Sequence, residues 1–331
     1  MKGSRHFRVS ALLSACVLSL IATAGWSQSL TWLGTLGGNE SVAWGVSADG
    51  SVVVGYAQNA AGSYRAFRWT ENDGMRNLGT LGGDDSVAFG VSADGLVVVG
   101  RAEIAPYQTR AFRWTENDGM RNLGTLGGAY GAATGVSADG LVVVGTSTNA
   151  AGQYRAFRWT ENDGMQELGT LGGNLSLAWG VSANGLVVVG WAENNAGQRL
   201  AFRWTENDGM QALGTLGGDD SVAVRVSADG LVVVGFAKND AGQYRAFRWT
   251  ASDGMEDLNT TYASQLTDGS ELWAALSISP NGRYIVGYGY NAATGRFEAF
   301  LLDTVPEPAS LLALGAGLVG LLGLRRRRSK Q

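Results

Sequence analysis

The fold is decided by a stretch that the chain repeats, first seen at residues 33–55 as LGTLGGNESVAWGVSADGSVVVG. The opening hexapeptide returns at a constant spacing of 45 residues, and a second marker, Ala-Phe-Arg-Trp, keeps the same period. The hexapeptide begins at Leu33, Leu78, Leu123, Leu168 and Leu213. The second marker begins at Ala66, Ala111, Ala156, Ala201 and Ala246. A sixth, divergent unit carries Ala299-Phe300-Leu301-Leu302 and an insertion of seven residues. A fixed period of this length indicates a repeat architecture.

Each unit divides into four short strands, as the first copy illustrates. Residues 41–47 alternate, Asp49-Gly50 is a hairpin turn signal, and residues 51–57 hold a valine run typical of a strand buried on both faces. Residues 64–70 alternate again, and residues 75–78 supply a fourth strand. Four antiparallel strands in 45 residues match one propeller blade. We therefore predict an all-β fold, a six-bladed β-propeller over residues 28–304.

The two ends of the repeat region complement each other. The six units contain six copies of the first three strands and five copies of the fourth. The segment Ser29–Gly34 aligns with Met75–Gly79, the fourth strand of the first unit and its exit. A strand from this segment would complete the last blade and remove two exposed sheet edges. An open β-solenoid, the alternative fold, does not need this complementarity, so we expect the N-terminal strand to close the ring.

Residues 1–27 have the layout of a secretory signal peptide. Lys2, Arg5 and Arg8 precede an apolar stretch over residues 9–24. Small residues place the cleavage after Ala24 or after Ser27. An alternative stays open, because Leu13-Ser14-Ala15-Cys16 resembles the lipobox of bacterial lipoproteins, in which the cysteine is acylated.

Residues 305–331 have three parts. Pro306-Glu307-Pro308 precedes sixteen mostly apolar residues, 309–324, and four arginines follow at 325–328. As a helix the apolar part would span ~24 Å, which is short of the ~30 Å hydrocarbon core of a bilayer. The arginines should stay cytoplasmic, which places the body of the chain outside the inner membrane. We expect a short transmembrane helix here.

This order of parts resembles the PEP-CTERM sorting signal of Gram-negative bacteria that make extracellular polysaccharide. The resemblance implies recognition and removal of the tail by a membrane enzyme, an exosortase. Pro306, Glu307 and Pro308 would be the recognition motif. The residues that hold the tail at the cytoplasmic face would be Arg325, Arg326, Arg327 and Arg328. A plain C-terminal membrane anchor is the alternative, and both interpretations place the protein at the cell envelope, inner-membrane anchored before processing and then in the envelope or outside the cell.

The repeats resemble the HAF-type extracellular repeats of bacteria, named for a His-Ala-Phe triplet. The resemblance covers about 270 residues and depends on the leucine-glycine hexapeptide, the Ser-x-Asp-Gly turn with its valine run, and the Ala-Phe strand. The signature histidine is replaced by Arg65, Arg110, Arg155, Leu200 and Arg245. The resemblance implies location and architecture more than mechanism.

Composition excludes several chemistries. The chain has one histidine, His6, and one cysteine, Cys16, and both lie within the predicted signal peptide. A mature protein without them has no Ser-His-Asp triad, no Cys-His protease site and no His/Cys zinc site. Residues 25–304 hold 17 basic and 28 acidic side chains, a net charge of −11. Such a body repels nucleic acids and anionic polysaccharides unless cations bridge them.

Two features remain as speculative ligand sites. Asp84-Asp85 and Asp219-Asp220 occupy one linker position in two repeats, and oxygen ligands suit Ca²⁺, although no EF-hand spacing supports this. Arg225 replaces the glycine of the other innermost strands and is expected to project into the central channel.

The sequence favours an exported, non-enzymatic binding or structural protein of the envelope or extracellular matrix, linked to exopolysaccharide or biofilm. It assigns no catalytic residue and no cofactor. Two alternatives stay open, a carboxylate-based glycosidase or lyase on a propeller and a Ca²⁺-dependent adhesin.

Overall fold

The computed structural model describes residues 30–305. The predicted signal peptide, its cleavage sites at Ala24 and Ser27, and the tail from Pro306 onward lie outside the described residues. Residues 30–32 precede the compact unit that begins at Leu33, and the fold described below is that of this unit.

Within the described residues, six antiparallel sheets follow one another along the chain. The first three blades consist of β1 (Gly37–Val46), β2 (Val52–Asn59), β3 (Tyr64–Thr70), β4 (Gly74–Asn77); β5 (Ser86–Val91), β6 (Val98–Ala105), β7 (Gln108–Thr115), β8 (Gly119–Asn122); and β9 (Gly127–Val136), β10 (Val143–Asn149), β11 (Tyr154–Thr160), β12 (Gly164–Glu167). The last three consist of β13 (Gly172–Val181), β14 (Val188–Asn194), β15 (Arg199–Thr205), β16 (Gly209–Ala212); β17 (Gly217–Val226), β18 (Val233–Asn239), β19 (Tyr244–Thr250), β20 (Gly254–Asp257); and β21 (Glu271–Ile278), β22 (Tyr284–Asn291), β23 (Arg296–Asp303).

The predicted all-β six-bladed propeller is confirmed. Strands pair in chain order within each blade, and the first strand of each blade lines the central channel. The fourth strand, where the described residues include one, is therefore outermost. The insertion of the sixth unit forms a short helix, α1 (Leu258–Thr261), and a 3-10 turn (Ala263–Gln265). The sixth sheet has three strands among the described residues, and residues 30–35 form no strand. Completion of this sheet by the N-terminal segment therefore stays a prediction.

The core lies between neighbouring blades, which explains the valine run. Val142 and Val144 of the third blade pack with Phe202 of the fourth, whereas Val143 packs on the opposite side against the second blade. Because successive strand residues point to opposite faces, the run supplies both interfaces. The repeated phenylalanine, as at Phe202, is fully buried. Burying each such ring contributes about 1.5–3 kcal/mol.

Five backbone hydrogen bonds join the hairpin turns of consecutive blades. At each step the amide after the turn serine donates to the carbonyl at the same position of the next blade. The bonds run from Ala48 to Ala93, Ala93 to Ala138, Ala138 to Ala183, Ala183 to Ala228 and Ala228 to Pro280, at 3.0–3.1 Å. Pro280 has no amide hydrogen and cannot donate a sixth bond. The link from the last blade to the first therefore differs chemically from the other five.

The aspartates of the Ser-Ala-Asp-Gly turns are structural, as Asp139 illustrates. Its carboxylate accepts hydrogen bonds from the Ser137 hydroxyl at 2.5 Å and from the Leu141 amide at 3.0 Å. The hydroxyl contributes most to lowering the pKa of Asp139, and the Ser47 hydroxyl acts likewise in lowering the pKa of Asp49 to about 2. A pKa below the ordinary 3.8 stabilises the fold above that pH, and this stabilisation is lost as the pH falls towards about 2.

The fourth repeat provides a natural uncharged version of the turn, in which Asn184 accepts the same two bonds from Ser182 and Leu186. We expect the variant with asparagine at positions 49, 94, 139 and 229 to fold and to be slightly less stable at pH 7. Its urea midpoint should fall less than that of the wild type between pH 5 and about pH 2. Urea unfolding followed by circular dichroism across this range measures the difference. Glu206→Gln removes an exposed acid elsewhere, and equal losses in the wild type, this control and the quadruple variant would contradict the assignment.

Candidate functional site

The innermost strands of all six blades surround a central channel with a cavity of about 350 Å³. Glycine occupies the same channel position in four consecutive blades, at Gly45, Gly90, Gly135 and Gly180. Backbone therefore forms much of the wall there, and the other lining residues include several valines. The side chains that stand out from this wall are Trp44, Phe89, Thr134, Trp179, Arg225 and Ser277. The channel is therefore a partly aromatic cavity whose one charged side chain, among the described lining residues, is Arg225.

Arg225 lies where the sequence predicts, at the channel position of β17. It pairs with Val234 in the register in which Gly180 pairs with Val189. Its Nη1 donates to the carbonyl oxygens of Val224 at 2.9 Å and of Trp179 at 3.2 Å. Both acceptors are neutral, and surrounding protein lowers the pKa of the guanidinium. The side chain is solvent-exposed and lines the channel.

The aromatic residues of the channel, Trp44, Phe89 and Trp179, each directly precede the channel glycine of their strand. Trp44 and Phe89 of neighbouring blades meet edge to face, with ring centroids 6.2 Å apart. Trp179 precedes Gly180, and its carbonyl accepts from Arg225. The sequence shows these aromatics as part of an alternating strand. What it does not show is that they share a cavity with Arg225.

The acidic linker pairs do not form a common site. Asp219 bonds Lys238 at 3.1 Å, and this cation lowers the pKa of Asp219. Asp220 accepts two bonds from Arg199, at 2.9 and 2.7 Å. In the second repeat, the Asp85 carboxylate accepts a hydrogen bond from the backbone amide of Tyr64 at 2.9 Å, and Asp84 is exposed. Across residues 30–305, no three potential metal-ligating side chains come together.

A larger groove between the first two blades was not anticipated from the sequence. Arg76 forms an ion pair with Glu116 at 2.6 Å and lies 5.7 Å from the ring centroid of Trp114. Arg121 repeats the arrangement with Glu161 and Trp159 at the same distances. Because the set recurs with the repeat, it is better explained as a link between blades than as a singular site.

Comparison with known protein families gives one match, to the PEP-CTERM protein-sorting motif over residues 304–328. The chain carries a PEP-CTERM sorting motif. The motif implies an exported protein, targeted to the envelope and processed by an exosortase-type enzyme. It contains Pro306, Glu307, Pro308 and the four arginines at 325–328, which lie outside the described residues. Among curated proteins, no sequence matches this chain.

Solved structures confirm the propeller fold of this chain. TolB from Acinetobacter baumannii superposes with a TM-score of 0.50 at 12% identity over 78% of this chain. This chain spans 62% of the length of that TolB. The β-propeller domain of the Trilobed protease from Pyrococcus furiosus, described as having an open velcro topology, gives 0.50 at 8% identity, covering 82% of this chain and 85% of that one. At these identities the likeness concerns the fold alone.

No helix that is both long and apolar enough for a membrane crossing occurs within residues 30–305. The predicted transmembrane helix at 309–324 falls outside this range, and membrane anchoring stays a prediction.

Proposed function

We propose that this chain is a non-enzymatic binding or structural protein of the cell envelope or extracellular matrix, associated with extracellular polysaccharide. The observation that carries the proposal is the sorting motif at residues 304–328, which follows the propeller. The recurring acids support a structural role, because the turn aspartates accept bonds within their own turns. Glu271, one of the least repetitive acids, accepts bonds from Arg245 at 2.9 Å and from Trp273 at 3.1 Å.

We further propose the order of processing. A signal peptide directs export, the C-terminal segment holds the protein in the inner membrane, and an exosortase recognises Pro306–Pro308 and releases the body. The four arginines retain the tail at the cytoplasmic face because moving them through lipid is costly. The HAF-type character of the repeats belongs to this proposal, as a marker of an extracellular location.

Intact-mass analysis of the protein from host cell fractions tests the proposal. We expect a product that lacks both residues 1–27 and the tail beyond Pro308, in the envelope or the medium. A change of Pro306-Glu307-Pro308 to alanines should leave a full-length tail in the inner membrane. A wild-type protein that keeps its tail there would overturn the sorting proposal.

The third element of the proposal is ring closure by the N-terminal segment. In the first four blades a leucine at the end of the fourth strand is buried, as at Leu78 and Leu168, and its amide donates to the alanine carbonyl of the third strand. Leu258 is buried at the same repeat position of the fifth blade. The corresponding alanine of the sixth blade is Ala299, and the repeat aligns Leu33 with the leucine. We infer that Leu33 takes this place.

A further inference from the structure

We propose that the central channel binds a carboxylate-bearing sugar, whose carboxylate pairs with Arg225 and whose ring packs on the channel aromatics. This inference rests on the proposed function, because it names the ligand class of a propeller associated with polysaccharide.

The first argument is the unmatched charge of Arg225. A guanidinium on the wall of a narrow channel attracts an anion more strongly than one in bulk water, because the surrounding protein has a lower dielectric constant. Among the described residues, Arg225 belongs to none of the ion pairs, and no carboxylate lines the channel. One nitrogen of the guanidinium, Nη1, donates to two carbonyls, and the other donors have no hydrogen-bond partner among the described residues. A carboxylate matches these donors in geometry and in charge.

The second argument is the singularity of the residue. The same strand position is Gly45, Gly90, Gly135 and Gly180 in the preceding blades, and their backbone forms the same strand without a side chain. The fold therefore does not need an arginine here. A charge placed where four copies do without one is better explained by a ligand than by the scaffold.

The third argument is the character of the wall. Trp44, Phe89 and Trp179 present aromatic surface to the cavity, and the hydroxyl residues Thr134 and Ser277 line it as well. Aromatic rings pack against the apolar faces of sugars, and hydroxyls exchange hydrogen bonds with them. The volume of about 350 Å³ lies at the lower end of the range of roughly 300–1,000 Å³ for small-ligand sites.

The fourth argument is selectivity for a short ligand. The body carries a net charge of −11, so a long anionic chain is repelled from most of its surface. Arg225 supplies positive potential only inside the channel. The site therefore favours one acidic sugar unit, free or at a chain end, over an extended polyanion.

Isothermal titration calorimetry on the full-length protein tests the inference, with galacturonate and glucuronate as probes. Galactose, glucose and inorganic phosphate separate the contributions of the ring and the charge. We expect uronate binding, no measurable phosphate binding, and binding of the neutral sugars that is weaker by about tenfold or more. Arg225→Gly, which restores the residue of four other blades, should weaken uronate binding to the neutral-sugar level and leave the melting temperature unchanged. Arg121→Gln, which removes a cation on the outer surface, should leave binding intact.

Three outcomes would overturn the inference: no uronate binding, equal binding of phosphate and uronate, or uronate binding that survives Arg225→Gly. A loss of binding in Arg225→Gly that is accompanied by a lower melting temperature would also count against the inference, because the loss would then reflect unfolding. None of these affects the sorting proposal, since correct processing and envelope location without uronate binding would remove this inference alone.

Discussion

Gly145→Ala is expected to destabilise the propeller by about 3 kcal/mol or more. Gly145 lies in β10 at the centre of the third blade, and a Cβ added there would overlap the carbonyl oxygen of Ala132 in the neighbouring strand. It would also lie 2.9 Å from the ring of Phe157, which is fully buried. Neither neighbour can withdraw, because one is backbone held in the sheet and the other is enclosed at the interface with the second blade. Urea unfolding followed by tryptophan fluorescence measures the loss.

A second glycine separates this packing effect from ordinary backbone strain. Gly124 has a φ of +81°, and nothing lies within 4 Å of an added Cβ. Gly124→Ala should cost only the left-handed penalty of about 1–2 kcal/mol. If the two alanine variants lose the same stability, the close approach at Gly145 has no energetic consequence and the account is wrong. The six blades share this close approach, at Gly55, Gly100, Gly145, Gly190, Gly235 and Gly287.

These glycines show what the sequence can and cannot predict about this fold. Spacing and alternation predict the blades, because a 45-residue period and a valine run determine how many strands form and which faces are buried. The sequence does not show why a glycine follows the valine run, because a glycine required by a turn and a glycine required by close packing in a strand look the same in sequence. Only the structure distinguishes Gly145, which packs against a backbone carbonyl, from Gly124, which needs a positive φ.

The candidate site was predictable to a similar degree. Arg225 is visible in the sequence as a break in the repeat, and its place in the channel follows from the strand order. The aspartate pairs at 84–85 and 219–220 break the repeat equally well, yet Asp219 and Asp220 bond Lys238 and Arg199. Those cations come from other strands at separations that no local motif encodes. A residue that breaks the repeat is therefore a candidate for a ligand site. Whether it is free to bind a ligand depends on the side chains that the fold places beside it.

The other large effect concerns the seam between the sixth blade and the first. Val286 is 40% exposed, whereas its counterpart Val54 in the first blade is fully buried. On the facing side, Ala43 is exposed, whereas its counterpart Ala178 is fully buried. Burial of these faces against each other would repeat the contacts of the other five interfaces. Pro280 has no amide hydrogen and cannot donate a backbone hydrogen bond to the hairpin turn of the first blade. The strand that completes the sixth blade must therefore contribute more to closing the ring of blades.

Leu33→Ala tests whether the N-terminal segment supplies that strand. Leu78, Leu123, Leu168 and Leu213 are 6–8% exposed, so a leucine that fills the same place in the sixth blade should cost about 2–5 kcal/mol when truncated. Leu141→Ala is the matched control, because Leu141 lies on a turn, is 61% exposed, and should change stability by about 0.5 kcal/mol or less. Thermal and urea unfolding of the exported protein measure both variants. A Leu33→Ala effect as small as that of the control would mean that the sixth blade is completed by something other than this segment, and the seam would then be a true opening in the ring.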